Sequence, residues 1–135
     1  MKVLSQPYTA DNENDIEAFS KFPFELSDFQ KHSVNSINND RNVLVTAFTG
    51  SGKTLIAEYA IMKSVAAGKK VIYTSPIKSL SNQKFYEFKK KFPDMTVGIF
   101  TGDIKFNPFA DITIMTTEIL RNMLYVKIFD LHFPN

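Results

Sequence analysis

An α/β fold, with a parallel sheet covered by helices on both faces, is the class this sequence predicts, and three observations predict it. Strand-like apolar runs alternate with helix-like patterns from Val43 to Tyr125, and such alternation implies right-handed βαβ crossovers. A glycine-rich stretch, Ala47 to Thr54, lies between the first apolar run and the first long helical pattern. With 135 residues, 44% hydrophobic and 13% aromatic, the chain is one domain or less and carries enough apolar side chain for a packed core.

Residues 1–20 are polar, and Asp11-Asn12-Glu13-Asn14-Asp15 fits neither a strand nor a helix period, so a flexible lead-in is expected there. In Phe22-Pro23-Phe24-Glu25-Leu26, Pro23 holds its predecessor extended. Ser27 then serves as N-cap for a helix through about Asn38, with Phe29 and Ile37 inward. Val43 to Thr46 reads as a strand. After the glycine-rich stretch, Leu55, Ile56, Tyr59, Ala60, Met62 and Val65 make a broad apolar band on a helix that ends at Gly68, its C′ residue. Val71 to Tyr73 is a second strand, and Ser75-Pro76-Ile77 turns into a helix from Lys78 to about Lys91 with Leu80, Phe85, Phe88 and Phe92 as its inner face. Thr96 to Phe100 and Ile112 to Met115 read as further strands. Thr116 to Tyr125 reads as a final helix facing the core with Ile119, Leu120, Met123 and Leu124.

Composition excludes several classes. Cysteine is absent, so no disulfide framework or thiolate zinc site is available. No apolar run approaches the roughly 20 residues that cross a bilayer, and the N-terminus lacks a signal-peptide core, so a soluble intracellular protein with no membrane partner is expected. A net charge of +2 neither demands nor excludes nucleic acid.

The chemistry concentrates in Ala47-Phe48-Thr49-Gly50-Ser51-Gly52-Lys53-Thr54. Small residues let successive backbone N–H groups curl round an anion, and the unpaired N–H groups of the helix that follows add to that field. Such a loop binds a nucleoside triphosphate: Lys53 reaches the β- and γ-phosphates, and the Thr54 hydroxyl ligates Mg²⁺. The generic pattern has Gly where this chain has Ala47. In a parallel α/β sheet the ligand sits beyond the carboxyl ends of the strands. There the sequence places Thr74 to Lys78, Thr101-Gly102-Asp103 and Thr116-Thr117-Glu118, short hydroxyl-bearing turns of the kind that grip the phosphates of a strand without reading its bases. Ordinary caps and turns would use the same residue types.

Taken in order, these motifs resemble the first RecA-like domain of superfamily-two RNA helicases, and more narrowly the DExH-box helicases of the superkiller type, which act as exosome cofactors. The resemblance runs from Phe22 to Tyr125 and makes the chain the N-terminal part of a P-loop NTPase domain, residues 21–135. Phe22-Pro23-Phe24-Glu25-Leu26 with Phe29-Gln30 is similar to the Q motif. It implies that Gln30 pairs with the adenine edge of ATP and that Phe22 or Phe24 stacks on the base; an amide suits this because it offers a donor and an acceptor together. Ala47 to Thr54 is similar to motif I. Thr74 to Lys84 resembles motif Ia, Thr101 to Asp103 motif Ib, and Thr116 to Arg121 the RNA-strand motif that follows. By that resemblance Ser75, Pro76, Lys78, Gln83, Thr101, Gly102, Thr116, Thr117 and Arg121 contact RNA. Asp130-Leu131-His132 looks like a contracted version of the family's Asp-Glu-x-His motif, but the water-positioning Glu is missing and the spacing is one residue short, so Asp130 and His132 are read as a loop or irregular tail ahead of a motif that this stretch does not contain. The chain alone is therefore expected to bind nucleotide weakly, with little ATPase and no unwinding. A DNA helicase or translocase of the same superfamily, or a non-catalytic nucleotide- or RNA-binding fragment, are the alternatives.

Overall fold

A computed structural model describes residues 2–9 and 13–126. The chain divides into two compact units, Met1–Met62 and Lys63–Asn135.

The first unit is helical. Helix α1 (Glu13–Ser20) and α2 (Asp28–Asn38) precede α3 (Lys53–Ala66), which runs on past the unit's end. Its core is Ala18, Leu26, Val34 and Tyr59, with Phe19, Phe22, Ile37 and Leu55 packed against it. Phe29 and Ile37 are half-buried, and Val34 takes the inmost place on α2. Helix α1 corrects the expectation of an aperiodic lead-in. Its inward residues are Asp15, 1% exposed, and Ala18; a polar inward residue leaves no apolar period to read. Asp15 is held by Tyr8 Oη at 2.6 Å, Asn35 Nδ2 at 2.6 Å and Asn38 Nδ2 at 3.4 Å, all donating. Tyr59 Oη donates to Asn38 Oδ1 at 2.7 Å and extends the network to α3. Burial alone would push the Asp15 carboxyl up, but the three donors outweigh it and hold it below its ordinary value. Burial and the facing carboxylate push the Tyr8 phenol up to about 12.

Val43 to Thr46 is not a strand, which corrects the reading of its apolar run. A strand exists only through ladder partners. Among the described residues no strand pairs with this segment, and Leu44 stands 79% exposed.

The second unit is built on a four-stranded sheet in the order β1-β4-β2-β3. Strand β1 (Val71–Ser75), β2 (Val97–Phe100) and β4 (Ile112–Thr116) are parallel, in the register Val71↔Ile112 and Val97↔Ile112. The two-residue β3 (Lys105–Phe106) returns antiparallel on β2; it was not expected, and it makes the sheet mixed. All five residues of β4 are buried. Successive strand side chains point to opposite faces, so β4 is covered on both. Helix α4 (Lys78–Lys91) packs on β1, β2 and β4, and α5 (Thr117–Tyr125) on β1 and β4. The inward stripe of α4 is Ser81, Phe85 and Phe88, continued by Phe92. Leu80, expected inside, sits one residue off that stripe and is 41% exposed. Leu124 is likewise outside, while Met123 is the buried residue of α5. Gly68 ends α3 in the left-handed region, φ +74°, as a C′ glycine should.

Asp111 gathers the amino ends of the three parallel strands. Its carboxylate accepts from the Thr96 N–H at 2.9 Å, Thr96 Oγ1 at 2.8 Å and Lys70 Nζ at 3.0 Å. Those bonds, the backbone one foremost, hold the carboxyl down to about 2. A depressed carboxyl contributes stability that is complete above its unfolded pKa and is lost as pH falls from about 4 through about 2. Asp111→Asn is therefore expected to cost about 1–2 kcal/mol at pH 7, allowing for partial exposure, and almost nothing at pH 2. Urea unfolding of both proteins across that range measures it; an equal difference at the two ends would refute the assignment.

Candidate nucleotide loop and strand-binding edge

The glycine-rich loop lies in the first unit. It has no regular structure up to Gly52, and Lys53 opens α3. Gly50 and Gly52 adopt φ +84° and +87°, conformations that side chains rarely take. At Gly52 a Cβ would also stand 2.5 Å from Gln30 Nε2. The Lys53 ammonium donates to the Ala47 carbonyl, back across the loop. Ser51 Oγ is buried without a hydrogen-bond partner among the described residues, and a buried hydroxyl without a partner calls for one. These features fit a triphosphate. Thr54 is exposed in the first turn of α3, as are Thr49 and Phe48 beside the loop. Among the described residues no three His, Cys, Asp or Glu are grouped to hold a metal.

Gln30 is drawn to this loop by the start of α2. Its Oε1 accepts from the Ser27 N–H at 3.0 Å and from Ser27 Oγ at 3.1 Å, closing the helix start as a capping-box glutamine does. Its Nε2 donates to the Gly52 carbonyl at 3.3 Å. Both ends of the amide expected to read adenine are thus engaged within the protein. Of the two candidate stacking rings, Phe22 packs into the core, 5.9 Å from Tyr59, while Phe24 is 52% exposed.

The hydroxyl-bearing turns lie in the second unit, brought together by the sheet. Ser75 ends β1 opposite Thr116 at the end of β4, and Thr101 follows β2 next along the same edge. Ser75, Thr101 and Thr116 are buried. The Ser75 hydroxyl bonds Ser81 Oγ at 2.6 Å and the Ile77 carbonyl at 3.2 Å. Thr101 Oγ1 accepts from the N–H groups of Asp103 and Ile104 at 3.4 and 3.3 Å. Thr117 Oγ1 donates to the Ser75 carbonyl at 3.2 Å, which ties the start of α5 to the end of β1. These hydroxyls shape the edge. Pro76, Lys78, Gln83, Gly102, Thr117 and Arg121 are among its exposed residues. Asp130 and His132 lie outside the described residues.

Residues 27–132 match the family model described as DEAD/DEAH box helicase. The chain belongs to the DEAD/DEAH box helicase family. Over 104 residues, 77% of the chain and 8% of the relative, it is 54% identical to the antiviral helicase SKI2 of Saccharomyces cerevisiae. Over 109 residues, 81% of the chain and 10% of the relative, it is 49% identical to the human exosome RNA helicase MTR4. The ATP-dependent RNA helicase mtr4 of Schizosaccharomyces pombe is 52% identical over 104 residues, 77% of the chain and 9% of that protein. The chain thus spans about a tenth of the length of these curated relatives. The narrower resemblance to superkiller-type helicases agrees with these relatives, and the mostly parallel sheet suits a partial RecA-like domain.

Two contacts in this DEAD/DEAH box helicase chain escaped the sequence reading. Ser81 anchors the Ser75 turn, and the signal for it was its place four residues ahead of Phe85 on the inward stripe. Asp103 pairs with Lys78 Nζ at 2.6 Å; only topology joins two turns that far apart in sequence.

Proposed function

We propose that this chain is the ATP-binding and strand-gripping part of an ATP-dependent RNA helicase. The observation that carries the reading is the loop itself: two glycines in the left-handed region, a buried Ser51 hydroxyl without a partner among the described residues, and Lys53-Thr54 opening a long helix. In this reading Gly50 to Thr54 hold the triphosphate through backbone N–H groups and the Lys53 ammonium, which leaves the Ala47 carbonyl to do so. Thr54 supplies one oxygen to a Mg²⁺ that takes its other ligands from phosphates and water. Bound metal would neutralise charge on the transferring phosphoryl group. Phe24 is the ring free to stack on the base. Pro76, Lys78, Gln83, Gly102, Thr117 and Arg121 meet the strand, while Ser75, Thr101 and Thr116 hold the turns in shape. RNA is favoured over DNA because two of these relatives are named as RNA helicases, and an exosome-type partner because one of them is named for the exosome. An intracellular site of action follows from that substrate. Among the described residues no helix is long and apolar enough to cross a membrane. ATP hydrolysis by the full-length protein should rise with RNA well above its level with DNA or with neither; equal rates in all three would overturn the reading.

Gln30→Ala is expected to erode discrimination between ATP and GTP while sparing affinity for inorganic triphosphate, because in this reading the amide gives up its contacts within the protein for the base and does not meet the phosphates. It also removes one arm of the capping box, so a loss of about 1 kcal/mol in stability accompanies it. Titration of the three ligands by calorimetry checks it, and intact selectivity would leave Gln30 as a cap alone.

A further inference from the structure

The exposed edge that would meet a strand carries a carboxylate, a charge that repels phosphate. Asp103 Oδ2 lies 2.6 Å from Lys78 Nζ, with the two side chains 68% and 54% exposed. The lysine passes over Gly102, where a Cβ would stand 3.7 Å from both its Cε and its Nζ. Asp103 is fixed from behind: its N–H and that of Ile104 donate to the buried Thr101 Oγ1, and the Thr101 N–H donates to the Ile104 carbonyl at 2.8 Å. The carboxylate therefore sits on an anchored turn, whereas the ammonium ends a flexible four-carbon stem and is the partner able to move. An exposed pair of this kind is worth little and is readily exchanged for another anion.

Resting on the reading of this edge as a strand-binding site, we propose that Asp103 is a built-in competitor of the strand's phosphate for Lys78. Without a strand, Asp103 holds the ammonium; a phosphate that takes its place must first displace the carboxylate. The exchange lowers affinity at this contact and flattens its salt dependence, because Lys78 gives up an internal carboxylate as well as solution counterions. A strand held through such a contact is also quicker to leave. Asp103 is thus a tuning residue for strand release, and its partner is a phosphodiester of single-stranded nucleic acid.

The test measures binding of the full-length protein to a fluorescein-labelled ten-nucleotide oligouridylate and to its oligothymidylate counterpart across a salt series. Wild type, Asp103→Asn, Lys78→Ala and the double variant are compared. Asp103→Asn is expected to bind both strands roughly 2- to 5-fold tighter at low salt, with a steeper salt dependence. That gain should vanish in the Lys78→Ala background. Unchanged or weakened binding by Asp103→Asn overturns the proposal, and so does a gain of equal size without Lys78, which would be general charge removal. Wild-type affinity in Lys78→Ala also overturns it while leaving the strand-binding reading intact. Failure of every variant to bind either strand would sink that reading itself.

Discussion

Lys53→Ala is expected to weaken ATP binding roughly 10- to 150-fold, the equivalent of losing a charge-assisted contact of about 1.5–3 kcal/mol. The ammonium stands at the start of α3, where the helix N–H groups already favour an anion, so its removal subtracts the point charge and leaves the backbone cradle. Residual weak binding should therefore persist. Without nucleotide the variant should melt close to wild type, because among the described residues the lysine bonds the Ala47 carbonyl across its own loop and ties no other element. Calorimetric titration with ATP, paired with thermal unfolding of the free protein, separates the two effects. An unchanged affinity would remove the phosphate-loop assignment altogether.

Local chemistry was legible in the sequence, and partnership was not. Ser27 announced the start of α2, and the turn Ser75-Pro76-Ile77 announced a helix that indeed runs Lys78–Lys91. Both signals lie within a few residues of what they specify. Val43 to Thr46 has strand composition, but whether it is a strand depends on a neighbour that no local pattern can supply. The same limit applies to the sites. The order of motifs singled out the glycine-rich loop and the row of turns, yet the inward aim of the Ser75 and Thr101 hydroxyls depends on Ser81 and on the turn at Asp103. The division of the Gln30 amide between Ser27 and Gly52 likewise needed the packing of α2 against the loop.

Gly98→Val should be the most damaging single change in the sheet, costing about 3 kcal/mol or more, as overpacking against an unyielding neighbour does. A Cβ at Gly98 would stand 1.9 Å from the Asn107 carbonyl oxygen and 2.9 Å from that of Phe106. Both obstacles are backbone. The Asn107 segment is also tied down, since its carbonyl accepts the Ala110 N–H at 3.2 Å and the next carbonyl, of Pro108, accepts Thr113 Oγ1 at 3.0 Å. Asn107 itself sits at φ +44°, so it has little freedom to retreat. Gly98→Ala meets the same atoms and should fail in the same direction. The urea midpoint is the readout, with nucleic-acid binding as a second, because β2 leads directly into Thr101. Wild-type stability in Gly98→Val would mean that β3 and the loop after it do not lie across β2 as they do here.

The strand order β1-β4-β2-β3 also sets a timetable for synthesis. A chain emerging from the ribosome delivers β1 long before it delivers β4, the strand that β1 needs beside it. Until then, among the described strands, only the β2–β3 pair can close locally, and β1 waits with its hydrogen-bonding groups unmatched although α4 can already cover Tyr73 through Phe88. Of the four described strands, the last made is the one that joins the sheet. A pause that leaves Phe106 but not Ile112 clear of the ribosome would thus prolong the nascent chain's most aggregation-prone interval, whereas a pause with Tyr125 already clear would come when the four described strands can pair.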